Sequence, residues 1–271
     1  MSLRCLYVDL DGTLLGHGAS LFHDGDRRVT NSGARAIEAC LRAEVEVCIF
    51  SGRREAQVHE GARLFGQTSY IFEVGCGVHV DGETEWMTGG MLPTGDQNIY
   101  QQIEARGVPA LLLAEFADRL EYHAPWHLDR DVSHLFRGWL DTAEADRLLA
   151  DRGHGDLRLV DNGRIRRKSE RLAHEHLHAY HLIPRVASKA AGVSRHMQIR
   201  GYRPDEVIAA GDSVEDLEVA NVVGRFFLMR NAVEKNPDIR ALLPAYANAT
   251  VTEERYGAGV YEAVVETLMD R

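Results

Sequence analysis

Val8-Asp9-Leu10-Asp11-Gly12-Thr13-Leu14-Leu15 closes the first apolar run of the 271-residue chain, and its reading decides the fold. Two carboxylates spaced i, i+2 at the end of a strand point the same way, out of the carboxyl edge where open α/β sheets bind ligands. Gly12 lets the backbone turn sharply and approach a ligand closely. An Asp-Gly turn after a strand is common in its own right, so the weight of this segment depends on what the rest of the chain brings to the same edge.

Working outward, apolar runs at 3–8, 45–50, 70–74, 207–210 and 226–229 are rich in Val, Ile, Phe and Cys and do not alternate, the pattern of strands covered on both faces. Helical spacing lies between them: a helix capped at Asn31 and Ser32 and running to about 43, then 54–65, 190–199, 214–222 and 259–269. Strand alternating with helix predicts an α/β fold with a doubly wound, parallel, Rossmann-like sheet. Between 82 and 186 the alternation stops. That stretch holds eight of the thirteen histidines, all three tryptophans and the turn signal Asp161-Asn162-Gly163. It reads as a second α/β domain inserted into the first, leaving a core made of 1–81 and 187–271.

Two further strand ends carry chemistry. Ile49-Phe50-Ser51-Gly52-Arg53 offers a hydroxyl and free N–H groups to a phosphate oxygen. Ala210-Gly211-Asp212-Ser213-Val214-Glu215-Asp216 places Asp212 at a strand end and Asp216 in the first turn of a helix, where acidic residues also suit the dipole. Asp9, Asp11, Ser51 and Asp212 therefore reach one edge of one sheet. Converging carboxylates repel unless a cation lies among them, and a few hard oxygen ligands suit Mg²⁺ better than zinc or a full calcium cage. Of the 31 basic residues only Lys168, Lys189 and Lys235 are lysines. Lys189, 22 residues ahead of Gly211 at the start of a helix, hints at a need for a compact ammonium rather than a planar fork.

With 41 acidic against 31 basic residues and a formal charge of −10, the chain is not built for broad contact with nucleic acid or anionic membrane. No apolar run approaches the ~20 residues that span a bilayer, and the N-terminus has no signal-peptide pattern. Cys5, Cys40, Cys48 and Cys76 have no CxxC spacing, and Cys in apolar or small-residue runs is ordinarily a buried free thiol, so a reducing cytoplasm is the expected setting.

Together these segments resemble the haloacid dehalogenase-like hydrolase superfamily. Asp9-Leu10-Asp11-Gly12-Thr13 fits its first motif, Ser51 the second, Lys189 the third, and Gly211-Asp212-Ser213 with Asp216 the fourth, in matching order. The insertion resembles the large α/β cap of the Cof-type and sucrose-phosphate phosphatase-like subgroup. Glu73-Val74-Gly75-Cys76-Gly77 is similar to that subgroup's Glu-Asn-Gly-Ala turn, with Val74 in place of Asn, and Glu215 stands where Asn is usual. The resemblance implies a Mg²⁺-dependent phosphatase acting on a small phosphorylated metabolite, a sugar phosphate in the first instance. It assigns Asp9 as nucleophile and Asp11 as general acid and base. Mg²⁺ falls to Asp9, Asp212 and the Asp11 carbonyl, with Asp216 behind them, and the phosphate to Ser51, Gly52 and Lys189.

Two other readings stay open: a phosphohexomutase with the same nucleophile, and a non-catalytic domain that accepts or binds phosphate. Within the insertion, Arg164 to Lys168 reads as a solvated basic strand or turn before a second anion site. His174, His176 and His178 alternate as one exposed face of a strand would. His181 and Arg185 are expected near the seam between the two domains.

Overall fold

The computed structural model describes residues 2–165 and 167–270, so Arg166 of the basic run lies outside the described residues. In chain order the strands are β1 (Cys5–Val8), β2 (Glu46–Phe50), β3 (Ser69–Phe72), β4 (Gly77–Val80), β5 (Glu83–Trp86), β6 (Leu120–Tyr122), β7 (His134–Gly138), β8 (Leu157–Ile165), β9 (Leu177–Pro184), β10 (Val207–Gly211), β11 (Arg225–Leu228) and β12 (Ala249–Val251). Eight of them form one sheet in the order β12-β11-β10-β1-β2-β3-β4-β5, and β6-β7-β9-β8 form a second. From β12 to β3 the first sheet is parallel, as double winding requires. It ends in an antiparallel hairpin, β4 and β5, turning at Asp81 and Gly82 with φ of 50° and 97°.

That hairpin was not legible in the sequence. The run at 70–74 reads as one strand, but β3 stops at Phe72 because Glu73, Val74 and Gly75 take φ of 47°, 60° and 81° and reverse the chain. The helix expected at 214–222 is a single α-turn, Val214–Leu217, prolonged as a 3-10 turn, Glu218–Asn221. Asn31 takes the cap position of the helix Ser32–Arg42 without a side-chain bond; the Ser32 N–H finds Thr30 Oγ1 instead, at 3.2 Å. Nor do the three alternating histidines share a strand. β9 begins at Leu177, and the His176 N–H turns back onto His174 Nδ1 at 3.1 Å, leaving only His178 in the sheet.

Both faces of the large sheet are covered. Leu6, Val8, Val47, Ile49 and Phe227 pack against the helices Ser32–Arg42 and Tyr256–Met269 on one side, while Tyr7, Phe50, Ala209 and Phe226 pack against Lys189–Arg200 on the other. The small sheet has its own buried cluster, built on Val108, Leu112, Phe136, Leu159 and Tyr180. Among the described residues, no helix is long and apolar enough to cross a membrane.

Candidate active site

The carboxyl ends of β1, β2 and β10 lie side by side, because β1 pairs with both of the others. Asp9 follows β1 directly, its N–H on the Ala210 carbonyl at 3.0 Å, and it is only 5% exposed. The loop then folds tightly. At Gly12 (φ 93°) a Cβ would lie 2.1 Å from Asp212 Oδ2, so any other residue would displace that carboxylate. Asn231 fixes the same loop from the far side, with Nδ2 donating to the Gly12 carbonyl at 2.8 Å and Oδ1 accepting from the Tyr256 N–H at 2.9 Å.

Asp216 organises the loop after β10. Its Oδ2 accepts from the Asp212 N–H at 3.0 Å, the Ser213 N–H at 2.9 Å and the Ser213 hydroxyl at 2.8 Å. Its other oxygen meets Lys189, which opens the helix Lys189–Arg200 capped by Ser188. Lys189 Nζ lies 2.5 Å from Asp216 Oδ1 and 3.0 Å from Asp9 Oδ1, and the side chain is 1% exposed. Burial opposes its charge, but the Asp216 and Asp9 carboxylates outweigh burial and hold its pKa above the ordinary lysine value. Burial pushes Asp9 well up; Lys189 opposes that, and Asp216, Asp212 and Asp11 add to it. Asp212 is pushed up to about 6, first by burial, although Lys235 works against the rise.

One oxygen each from Asp9, Asp212 and Asp216 lie within 4.8 Å of one another. The donors are all carboxylate oxygens, and three carboxylates meet there with the Lys189 and Lys235 ammonium groups as their cationic neighbours. A hard divalent cation such as Mg²⁺ fits that donor set.

The loop after β2 completes the rim. Ser51 is 1% exposed, and its hydroxyl accepts the Arg53 N–H at 3.3 Å. Arg53 grips the half-exposed Asp11 with both ends of its fork. At Gly52 a Cβ would lie 2.6 Å from Asn162 Nδ2 and 3.1 Å from His181 Nε2, so the small sheet presses directly on this loop. Arg130 donates to the Gly52 carbonyl at 2.9 Å and to Ser133 Oγ at 2.9 Å. Glu73, fully buried, accepts the N–H groups of Asp131, Val132 and Ser133 at 2.8, 3.2 and 2.6 Å.

These contacts join Asp9, Asp212, Asp216 and Lys189 in one cluster, with Asp11, Ser51 and Gly52 on the loops beside it. Sequence reasoning gave no role to Arg53, Lys235, Arg130 and Asn162. The scarcity of lysine that singled out Lys189 applies equally to Lys235, whose Nζ lies 3.3 Å from Asp212 Oδ2. Glu215 turns away from the carboxylates and accepts the Lys189 N–H at 3.1 Å, so its side chain caps the lysine's helix. Of the residues expected at the seam, His181 faces Gly52, whereas Arg185 binds the Gly155 and Leu157 carbonyls and Asp146.

The sequence model described as haloacid dehalogenase-like hydrolase matches residues 161–241. A phosphoglycolate phosphatase of Methanoculleus marisnigri is 27% identical over 262 residues, covering 97% of this chain and 95% of its own. That of Halorubrum lacusprofundi is 27% identical over 84% of each. Among solved structures, the sucrose-phosphatase of Synechocystis, in complex with sucrose and phosphate, superposes with a TM-score of 0.63 at 15% identity over 98% of both chains. Thermoplasma acidophilum 0175 gives 0.63 at 17% identity, covering 99% of this chain and 100% of its own. The match to the haloacid dehalogenase-like hydrolase model falls on the stretch that carries Lys189, Asp212 and Asp216, and the relatives align along nearly the whole chain, so the chain is similar to that family in sequence and in fold.

Proposed function

We propose that the chain is a Mg²⁺-dependent phosphatase that hydrolyses a small phosphate monoester through an aspartyl-phosphate intermediate. The observation that carries this reading is the buried Lys189 ammonium held between Asp9 and Asp216, with Asp212 at the same rim. An Asp9 oxygen attacks phosphorus, forming an acyl phosphate as the bond to the alcohol oxygen breaks. Asp11 gives its proton to that oxygen, then takes one from the water that cleaves the intermediate, which frees phosphate and restores Asp9. Lys189, the Ser51 hydroxyl and the N–H groups of the Gly52 loop bind the phosphoryl oxygens as charge shifts among them.

Asp9, Asp212 and the Asp11 carbonyl would hold Mg²⁺, with Asp216 steadying Asp212 through its N–H; the ion supplies charge neutralisation at the phosphoryl group. The small-sheet domain, inserted after β5 rather than at residue 82, serves as the cap that excludes water, a role supported by the contacts of Arg130, Asn162 and His181 with Gly52. The partner is a small phosphorylated molecule, with neither nucleic acid nor membrane involved. The four buried, unpaired cysteines suit the cytoplasm.

The substrate is a sugar or polyol phosphate. Phosphoglycolate is the second reading, favoured by the names of relatives that align along 97% and 84% of the chain. A Mg²⁺-dependent phosphate-release assay over phosphorylated sugars, polyols and small acids tests the proposal, with Asp9→Asn and Asp11→Asn as controls. Phosphate release that survives Asp9→Asn would refute the nucleophile, and activity unchanged in EDTA would refute the metal.

A further inference from the structure

We infer that Asn162 selects the leaving group, its side-chain oxygen accepting a hydrogen bond from a hydroxyl of the released alcohol; the inference rests on the phosphatase reading above. β8 and β9 pair regularly from Leu157 to Asp161, then the register shifts before Arg164 meets His178. Asn162 and Gly163 are the residues pushed out of the ladder. Asp161 anchors the bulge: its carboxylate accepts the Gly163 N–H at 2.8 Å and meets His178 Nδ1 at 2.8 Å. The bulge bridges two catalytic loops, with Asn162 against Gly52 and a Cβ at Gly163 falling 3.7 Å from Ser213 Cβ. An alcohol leaving a phosphorus held between those loops departs toward Asn162.

The side-chain chemistry specifies what is met there. Asn162 Oδ1 is buried and has no hydrogen-bond partner, whereas Arg130 is engaged by the Gly52 carbonyl and Ser133, and His181 Nδ1 meets Ser133 Oγ at 3.2 Å. A buried acceptor without a donor is unfavourable in the free protein and becomes favourable when a ligand supplies one. Carboxylates and phosphoryl oxygens supply none at neutral pH, while a hydroxyl does. The bulge therefore selects polyol phosphates over phosphoglycolate.

The test uses the full chain with Mg²⁺ and measures kcat/KM for glycerol phosphate, phosphoglycolate and p-nitrophenyl phosphate. The readout is each ratio to the p-nitrophenyl value, which cancels general effects on phosphate binding. Asn162→Ala is expected to lower the glycerol phosphate ratio about 3- to 10-fold, the range for one neutral hydrogen bond. Asn162→Asp, which keeps the acceptor, is expected to restore it to within about twofold. An active enzyme whose ratio ignores Asn162→Ala overturns the inference. So does an Asn162→Asp variant that behaves like Asn162→Ala, or a drop confined to phosphoglycolate, which would make the amide a donor to a carboxylate. A wild-type protein that cleaves none of the three esters overturns the phosphatase reading itself, a result distinct from all of these.

Discussion

Arg53 holds Asp11 by both carboxylate oxygens, Nε to Oδ2 at 2.6 Å and Nη2 to Oδ1 at 2.7 Å. An arginine fork on a carboxylate fixes its rotamer as well as its charge. In the proposed mechanism Asp11 meets the leaving oxygen at a defined angle, and the grip of Arg53 sets where it starts from. Arg53→Met is expected to lower kcat about tenfold, a fraction of what general acid–base catalysis supplies, while KM for a small aryl phosphate changes little. Steady-state kinetics check this, and an unchanged kcat would show the pair to be irrelevant to turnover.

Lys189 carries a heavier load. Its methionine variant would leave Asp9 and Asp216 facing each other in a dry site without the ammonium between them. Removing one partner of a buried ion pair costs about 3–5 kcal/mol. Lys189→Met should lose that much stability in urea unfolding and show no phosphate release above background. Lys189→Arg should also fail, since a planar fork cannot replace a point charge seated between two oxygens.

Glu73 ties the two sheets together through the N–H groups of residues 131–133, with Arg130 at 3.7 Å. Glu73→Ala should destabilise the protein by about 3–5 kcal/mol, because Arg130 stays buried without its counter-charge. Hydrogen exchange at residues 131–133 should quicken before exchange in β1 or β10. Equal quickening everywhere would mean that the contact is not local.

Acid should weaken the small sheet. Burial pushes His123 and His134 down to about 4; Arg137, Arg167 and Arg130 reinforce this at His123, and the Tyr100 carbonyl partly offsets it at His134. The folded state resists protonation that the unfolded chain accepts from about pH 6.5 downward, so stability is lost as pH falls from about 6.5 to 4. The loss is about 3 kcal/mol per histidine at the lower end. The raised carboxyls of Asp9 and Asp212 act in the opposite sense over the same range, so the check is the difference in urea midpoint between the wild type and a His123→Gln, His134→Gln variant from pH 7 to 4.5; a difference that does not change with pH would contradict the burial argument.

Much of this was legible because strand ends in a parallel sheet announce themselves: an apolar run, then a small or acidic residue that cannot continue it, as at Asp9, Ser51 and Asp212. Lys189 stood out through rarity. What stayed hidden depends on partners distant in the chain. Nothing near Glu73 says that its carboxylate meets amides about sixty residues on, and nothing near Asn162 says that its strand skips register there. The reversal at Glu73 and Val74 was missed for a different reason, since neither residue type favours the left-handed conformation it adopts.

The border strand β5 has one more consequence. Glu83 and Glu85 line it, Glu83 exposed and Glu85 paired with Arg195 at 2.6 Å. A second molecule adding its own β5 to that rim would have to accommodate the Glu83 charge and the Glu85–Arg195 pair of each copy at strand spacing. The hairpin that ends the parallel sheet thus also guards it, keeping its open backbone groups from templating fibrous growth.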